Sequence, residues 1–263
     1  MRFSTLLLLI VIAVSLEAWS GGSSGVAYTK RRSEYSNPPY SIHDWIADNA
    51  RALLPSEERA WLEPFRSAYL LGTEAPEHAD IPVACGAPNT GYGDRYGGGA
   101  QWSKDSTETL VTRAGMRAQQ EYDNAVDAFA DGDLAAAAFY LGAMAHYIGD
   151  VSQHGHAYPG EKQRAAYSRW IKRYTKDFTA DAFGSYLKAG DLVRRRPYTA
   201  VQRIARATSE GQGDILAAEQ MNPLFADKTQ PWLDSLGASL NFAANEIAGV
   251  LHRFYLNEVS RAY

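Results

Sequence analysis

The stretch from Asp133 to Gln153 restricts the fold of this chain more than any other part of it. Leu134, Phe139, Leu141, Met144, Ile148 and Val151 are set among alanines, with few polar side chains before His146. A helix that is apolar all round cannot lie on a surface, so this one is expected to be a buried central helix. No β-type alternation of useful length occurs elsewhere, and there is no internal repeat. The chain has 263 residues, 46% of them hydrophobic, which is enough for one sizeable core. The expected architecture is therefore all-α, a single-domain multi-helix bundle.

The ends and linkers organise themselves around that helix. Met1 to Ala18 reads as a secretory signal, with Arg2 as its positive end, an apolar run from Leu6 to Leu16, and cleavage after Ala18. That run is shorter than the roughly 20 apolar residues a membrane span needs. The expected mature domain is residues 19–263, and the expected location is outside the cell after signal cleavage. Cys85 is the single cysteine, so an internal disulfide framework is not available to this exported chain. The net charge of −4 provides no general field for polyanions, so a nucleic-acid partner is not excluded but gets no help from electrostatics, and none is expected. The expected protein is a monomer.

Local signals place the helices. Ser41 and Asp44 have capping-box spacing at the start of a helix that Pro55 stops. Ser56 heads a second helix running to about Leu71 and ending at Gly72. Thr73 to Lys104 is one long irregular region, of the kind that usually serves a site, with room for a short hairpin. From Ser106 onward the pattern is helical, with further helices near residues 162–178, 180–189, 198–220 and 229–259 and Pro197 at a helix start. Arg194, Arg195 and Arg196 read as a solvated loop ahead of Pro197, and His252 as a surface or core-edge residue.

The chemistry is concentrated at the end of the central helix. His146 and Asp150 are four apart, so an imidazole and a carboxylate face one point. These are ligand types that zinc accepts, and His156 follows where the chain can turn back toward the same pocket. Spacing alone leaves two readings open, a metal site or a buried ion pair. Polar groups on so apolar a helix are costly unless paired or metal-bound.

The run His146, Gly149, Asp150, Gln153, His156, preceded by Phe139-Tyr140-Leu141-Gly142, resembles the central helix of the zinc-dependent phospholipase C family, whose fold is shared with P1-type nucleases. The resemblance implies an N-terminal Trp that binds zinc through its amine and carbonyl, and Trp19 stands directly after the expected cleavage site. It implies a His near the start of the first helix, where His43 stands. It also implies a carboxylate in the turn after the second helix, where Glu77 stands as a metal ligand and the catalytic general base. His78 and Asp80 are competitors there. The metal set implied is Trp19, His43, Glu77, His146, Asp150 and His156, with Asp150 bridging two ions.

Three expected ligand positions are not filled. Asp94 to Asp105 contains no His, and the H-x3-E of the following helix is replaced by Arg164 and Ser168. The third site would retain only His156, unless His154 or Glu161 compensates. One or two zinc ions are expected, acting on a phospholipid at a membrane surface. The implied activity is phospholipase C hydrolysis of phosphatidylcholine-type lipids to diacylglycerol and a phosphorylated head group. The alternatives are a P1-type nuclease or phosphatase, and a zinc-binding protein of this fold with impaired catalysis.

Overall fold

The computed structural model describes residues 40–77, 103–104, 110–111, 113–157, 164–172, 175, 183–227 and 229–262. The expected signal segment, Trp19, His78, Asp80, Cys85 and Glu161 lie outside the described residues. Helix α1 (Ile42–Ala52) begins with the capping box expected from the sequence. Ser41 Oγ accepts from the His43 amide at 3.0 Å, and Asp44 Oδ2 accepts from the Ser41 amide at 2.9 Å. One turn further on, Asp48 is fully buried and closely paired. It accepts from Arg51 Nε and Arg66 Nε at 3.0 Å each and from the Tyr40 hydroxyl at 3.2 Å.

The second helix departs from expectation in an informative way. It is α2 (Ser56–Leu62), then a 3-10 turn (Glu63–Phe65), then α3 (Arg66–Glu74). Pro64, which has no amide hydrogen to donate, lies in the interruption. Gly72 does not end α3 but lies inside it, against the central helix α5 (Leu134–Asp150). A Cβ at Gly72 would stand 2.0 Å from the Phe139 carbonyl oxygen, and one at Gly142 would stand 1.9 Å from that of Tyr69. The glycine pair lets two helix backbones touch, which no larger residue permits. That contact brings the C-terminal end of α3 beside His146.

Asp133 caps α5 by accepting from the Ala136 amide at 3.0 Å, and every residue from Ala137 to Asp150 is buried. Helix α4 (Arg113–Ala130) packs along α5 from the other side. Short β1 (Ser103–Lys104) and β2 (Leu110–Val111) pair antiparallel ahead of α4, so strand pairing extends past Ser106, where only helix was expected.

After α5 come the single turn α6 (His154–Ala157) and α7 (Arg164–Lys172). Residues 184–186 form one 3-10 turn leading into an extended segment instead of the helix expected near 180–189. The helix expected over 198–220 is two, α8 (Pro197–Glu210) and α9 (Ala218–Asp227). They are separated where Gly211 and Gly213 adopt positive φ of 83° and 57°.

Helix α10 (Gln230–Phe254) crosses α1 and α8, and a π-helical turn (Tyr255–Val259) and α11 (Ser260–Ala262) follow it. Trp45, Tyr69, Phe139, Met144, Ile148, Trp232 and Phe254 belong to one continuous core. Withdrawing each such side chain from water stabilises the fold by about 1.5–3 kcal/mol. Among the described residues, no helix is long and apolar enough to cross a membrane.

Candidate metal centre

Three histidines converge on one carboxylate at the C-terminal end of α5. His146 and Asp150 share a helix face four residues apart, as the sequence predicted, and both are almost fully buried. α1 supplies His43 from its capped first turn, and α6 supplies His156 after the chain turns back. His43 Nε2 lies 3.6 Å and His156 Nδ1 3.5 Å from Asp150 Oδ1, while His146 Nε2 lies 3.5 Å from Oδ2. The His43 and His146 rings stack with centroids 4.0 Å apart. Gly149 makes room for this, since a Cβ there would meet His43 Nδ1 at 3.3 Å.

These distances bear on the choice between an ion pair and a metal site. A direct N–H···O⁻ bond would close to about 2.7–2.9 Å. Two ligand atoms each ~2.0–2.1 Å from one tetrahedral zinc stand about 3.3–3.4 Å apart. The observed 3.5–3.6 Å fits an ion between the groups better than a proton. Asp150 Oδ1 is buried and accepts no hydrogen bond, which is costly unless a cation completes it. One ligand atom from each of His43, His146 and Asp150 lies within 4.8 Å of the other two. The donor set, two or three imidazoles and a carboxylate, suits zinc.

The protonation pattern is fixed by what surrounds the ligands. His146 Nδ1 lies 2.7 Å from the Thr73 carbonyl oxygen, which can only accept, so Nδ1 carries the hydrogen. The Nε2 lone pair is thereby left facing Asp150, the orientation that metal-ligating histidines receive from a backbone carbonyl. Burial pushes the Asp150 carboxyl upward, but the charge that His156 and then His146 carry when protonated outweighs it, so the group titrates below the ordinary range.

A second polar layer lies behind the ligands, and the sequence reading missed it. Thr73 Oγ1 donates to Asp44 Oδ1 at 2.8 Å, and Ser41 Oγ donates to Glu74 Oε1. These two bonds tie the start of α1, which carries His43, to the end of α3, whose Thr73 carbonyl orients His146. Burial, with Asp44 adding to it, raises the Glu74 carboxyl to about 8. Glu74 follows the loop-like Gly72-Thr73 and gives no periodic signal. Only the α3–α5 contact makes it interior.

The remaining candidates divide. Glu77 ends a 3-10 turn (Ala75–Glu77) directly after α3, three residues beyond Glu74; its side chain and Trp19 lie outside the described residues. His156, expected to stand alone at a third site, lies with its Nδ1 3.5 Å from Asp150 Oδ1. The chain turns tightly enough after Val151 to bring it back. His154 points elsewhere: it is buried against the rings of Tyr167 and Trp232, at 4.3 and 6.0 Å between centroids. Burial drives its pKa down to about 3. It is a core histidine. Arg164 and Ser168 lie on α7, where the expected H-x3-E would have stood.

A family model described as zinc dependent phospholipase C matches residues 42–222, well over half of the chain and inclusive of all four converging side chains. The alpha toxin of Clostridium absonum is similar at 18% identity and a TM-score of 0.49, over 84% of this chain and 65% of the toxin. The alpha-toxin of Clostridium perfringens from avian strain SWCP is similar at 18% identity and a TM-score of 0.52, over 85% of this chain and 65% of the toxin. The chain thus spans about two thirds of the length of these toxins, and at this identity the second likeness establishes the helical fold alone. No curated protein matches the sequence. With the family model covering the helices that build the centre, the chain belongs to the zinc-dependent phospholipase C family.

Proposed function

We propose that this chain is an exported zinc-dependent phosphodiesterase, a phospholipase C that cleaves phosphatidylcholine-type lipids to diacylglycerol and a phosphorylated head group. One observation carries the reading: three imidazole nitrogens stand 3.5–3.6 Å from the two oxygens of one buried aspartate. When bound, zinc supplies a lowered water pKa, toward ~7, and stabilises charge on phosphoryl oxygens.

The chain's own residues do the rest. Asp150 offers Oδ1 to the His43 and His156 side and Oδ2 to the His146 side, an arrangement suited to bridging two ions. The Thr73 carbonyl holds the His146 proton at Nδ1, so in the neutral ring Nε2 is the ligand atom. Burial of Asp150 and His146 to 1% exposure keeps bulk water from competing for them. In this reading Trp19 completes the His43 side through its amine and carbonyl, and Glu77 completes the His146 side. Glu77 also accepts the proton of the attacking water. In this reading the chain binds two zinc ions. The substrate is met at a membrane surface by a monomeric protein.

The experiment is elemental analysis joined to turnover, on protein whose N-terminus is verified as Trp19. Two zinc ions per chain are expected, with hydrolysis of phosphatidylcholine vesicles and not of single-stranded DNA. One zinc or none, or preference for DNA, would overturn the proposal.

A further inference from the structure

A second charged cavity, of about 440 Å³, lies between α10 and the extended segment that precedes α8, and no residue of the metal centre lines it. Volumes of this order hold small organic ligands. At its back is Glu246, only 5% exposed on α10. Arg195 Nε lies 3.1 Å from Glu246 Oε2, and Arg203 Nε donates to Oε1 at 3.0 Å. One carboxylate is therefore ion-paired with two guanidinium groups and hydrogen-bonded to that of Arg203. Arg203 remains 43% exposed at its side chain. Lys188 adds a third cation to the lining, against Asp191 and Glu246 as its two carboxylates.

The walls are rigid. Asn241 and Asn245 accept from the Lys188 and Gly190 amides at 2.8 and 2.7 Å, and the Arg195 amide donates to the Gly249 carbonyl at 3.1 Å. Gly249 permits that approach, because a Cβ there would stand 2.4 Å from the Val193 carbonyl oxygen. The Arg203 guanidinium also lies over the Phe242 ring, 5.6 Å from its centroid. A structural tie needs one arginine to neutralise Glu246. With the second arginine and Lys188 the lining holds three cations against the two carboxylates Asp191 and Glu246, and a guanidinium fork is the group that recognises a tetrahedral oxyanion.

We propose that Arg195 and Arg203, oriented by Glu246, form a phosphate-binding site separate from the metal centre. Its ligand is a small phosphate ester, either free or presented as a lipid head group.

The test uses the full-length chain and titrates glycerol 3-phosphate by calorimetry, alongside sedimentation with phosphatidic acid vesicles against phosphatidylcholine vesicles. Arg203→Lys keeps the charge and the packing but loses the fork, and is expected to weaken binding about tenfold. Arg195→Met should weaken it at least as much. Arg206→Met removes an exposed cation of the same helix and should change nothing. Asp150→Asn should leave this binding intact, which separates it from phosphate at the metal centre. Saturation by glycerol 3-phosphate identifies a free ester as ligand, and retention on phosphatidic acid vesicles alone identifies a head group. The proposal is overturned by no binding of either probe, by Arg203→Lys binding as the parent does, or by loss of binding in Asp150→Asn.

Discussion

Asp48 and Asp150 are both aspartates buried on helices of this fold, and their surroundings are opposite in kind. Asp48 meets two guanidinium groups and a phenol at true hydrogen-bond distances of 3.0–3.2 Å. Asp150 meets three imidazoles at 3.5–3.6 Å, and its Oδ1 accepts no hydrogen bond. Arginine stays protonated at any working pH and cannot ligate a metal, so Asp48 is neutralised permanently by the protein itself. Neutral imidazoles have lone pairs to share, so the neutralising charge at Asp150 is left to an ion. A buried carboxylate is therefore diagnostic only through the chemistry and spacing of its neighbours.

Exchanging the two aspartates in turn is the strongest way to break that contrast. Asp150→Asn is expected to release bound zinc and lower turnover by more than ~100-fold, since even the supporting partners of metal ligands are worth 10–100-fold. Zinc retained at parental stoichiometry would end the assignment. Asp48→Asn should do the reverse, leaving zinc content unchanged while urea unfolding shows a loss of about 1–3 kcal/mol, because Arg51 loses its buried partner and keeps only Glu63.

A finer cut asks whether the Asp150 environment depends on the helix contact behind it. Gly142→Ala must push α5 away from Tyr69 of α3. About 1–3 kcal/mol of stability should be lost. Zinc affinity should fall ~10–100-fold as the Thr73 carbonyl moves off His146. If a competition titration with a chelator finds the affinity unchanged, the carbonyl does not orient the ligand.

The smallest expected effect concerns pH and separates His154 from the imidazoles that face Asp150. Its folded pKa is depressed to about 3 against ~6.5 when unfolded. Neutral His154 thus contributes stability that is complete above pH ~6.5 and is lost as pH falls toward ~3, by up to ~1.4 kcal/mol per pH unit. His154→Phe should remove that part of the slope in denaturation curves collected from pH 7 to pH 5. An unchanged slope would return His154 to the solvent-facing role.

How much of this was legible in the sequence varies with the range of the interaction. α1 with its capping box, the central helix, and the i, i+4 pairing of His146 with Asp150 were all readable, because each depends on residues within a few positions. The break at Pro64 and the split between α8 and α9 are also local, but they were read as continuous helix because apolar spacing persists across them. Glu74, Thr73 and the inward role of Gly72 could not be read, since their meaning comes from α5, far along the chain.

The sequence by itself determined an all-helical chain with a buried helix ending in His146 and Asp150, because periodicity and side-chain chemistry are properties of neighbouring residues. The tertiary structure decided that His43 and His156 join that pair, that His154 does not, and that the spacing suits an ion. Those outcomes depend on where separate helices come to rest, and here a glycine-to-glycine contact between α3 and α5 sets the approach at the site.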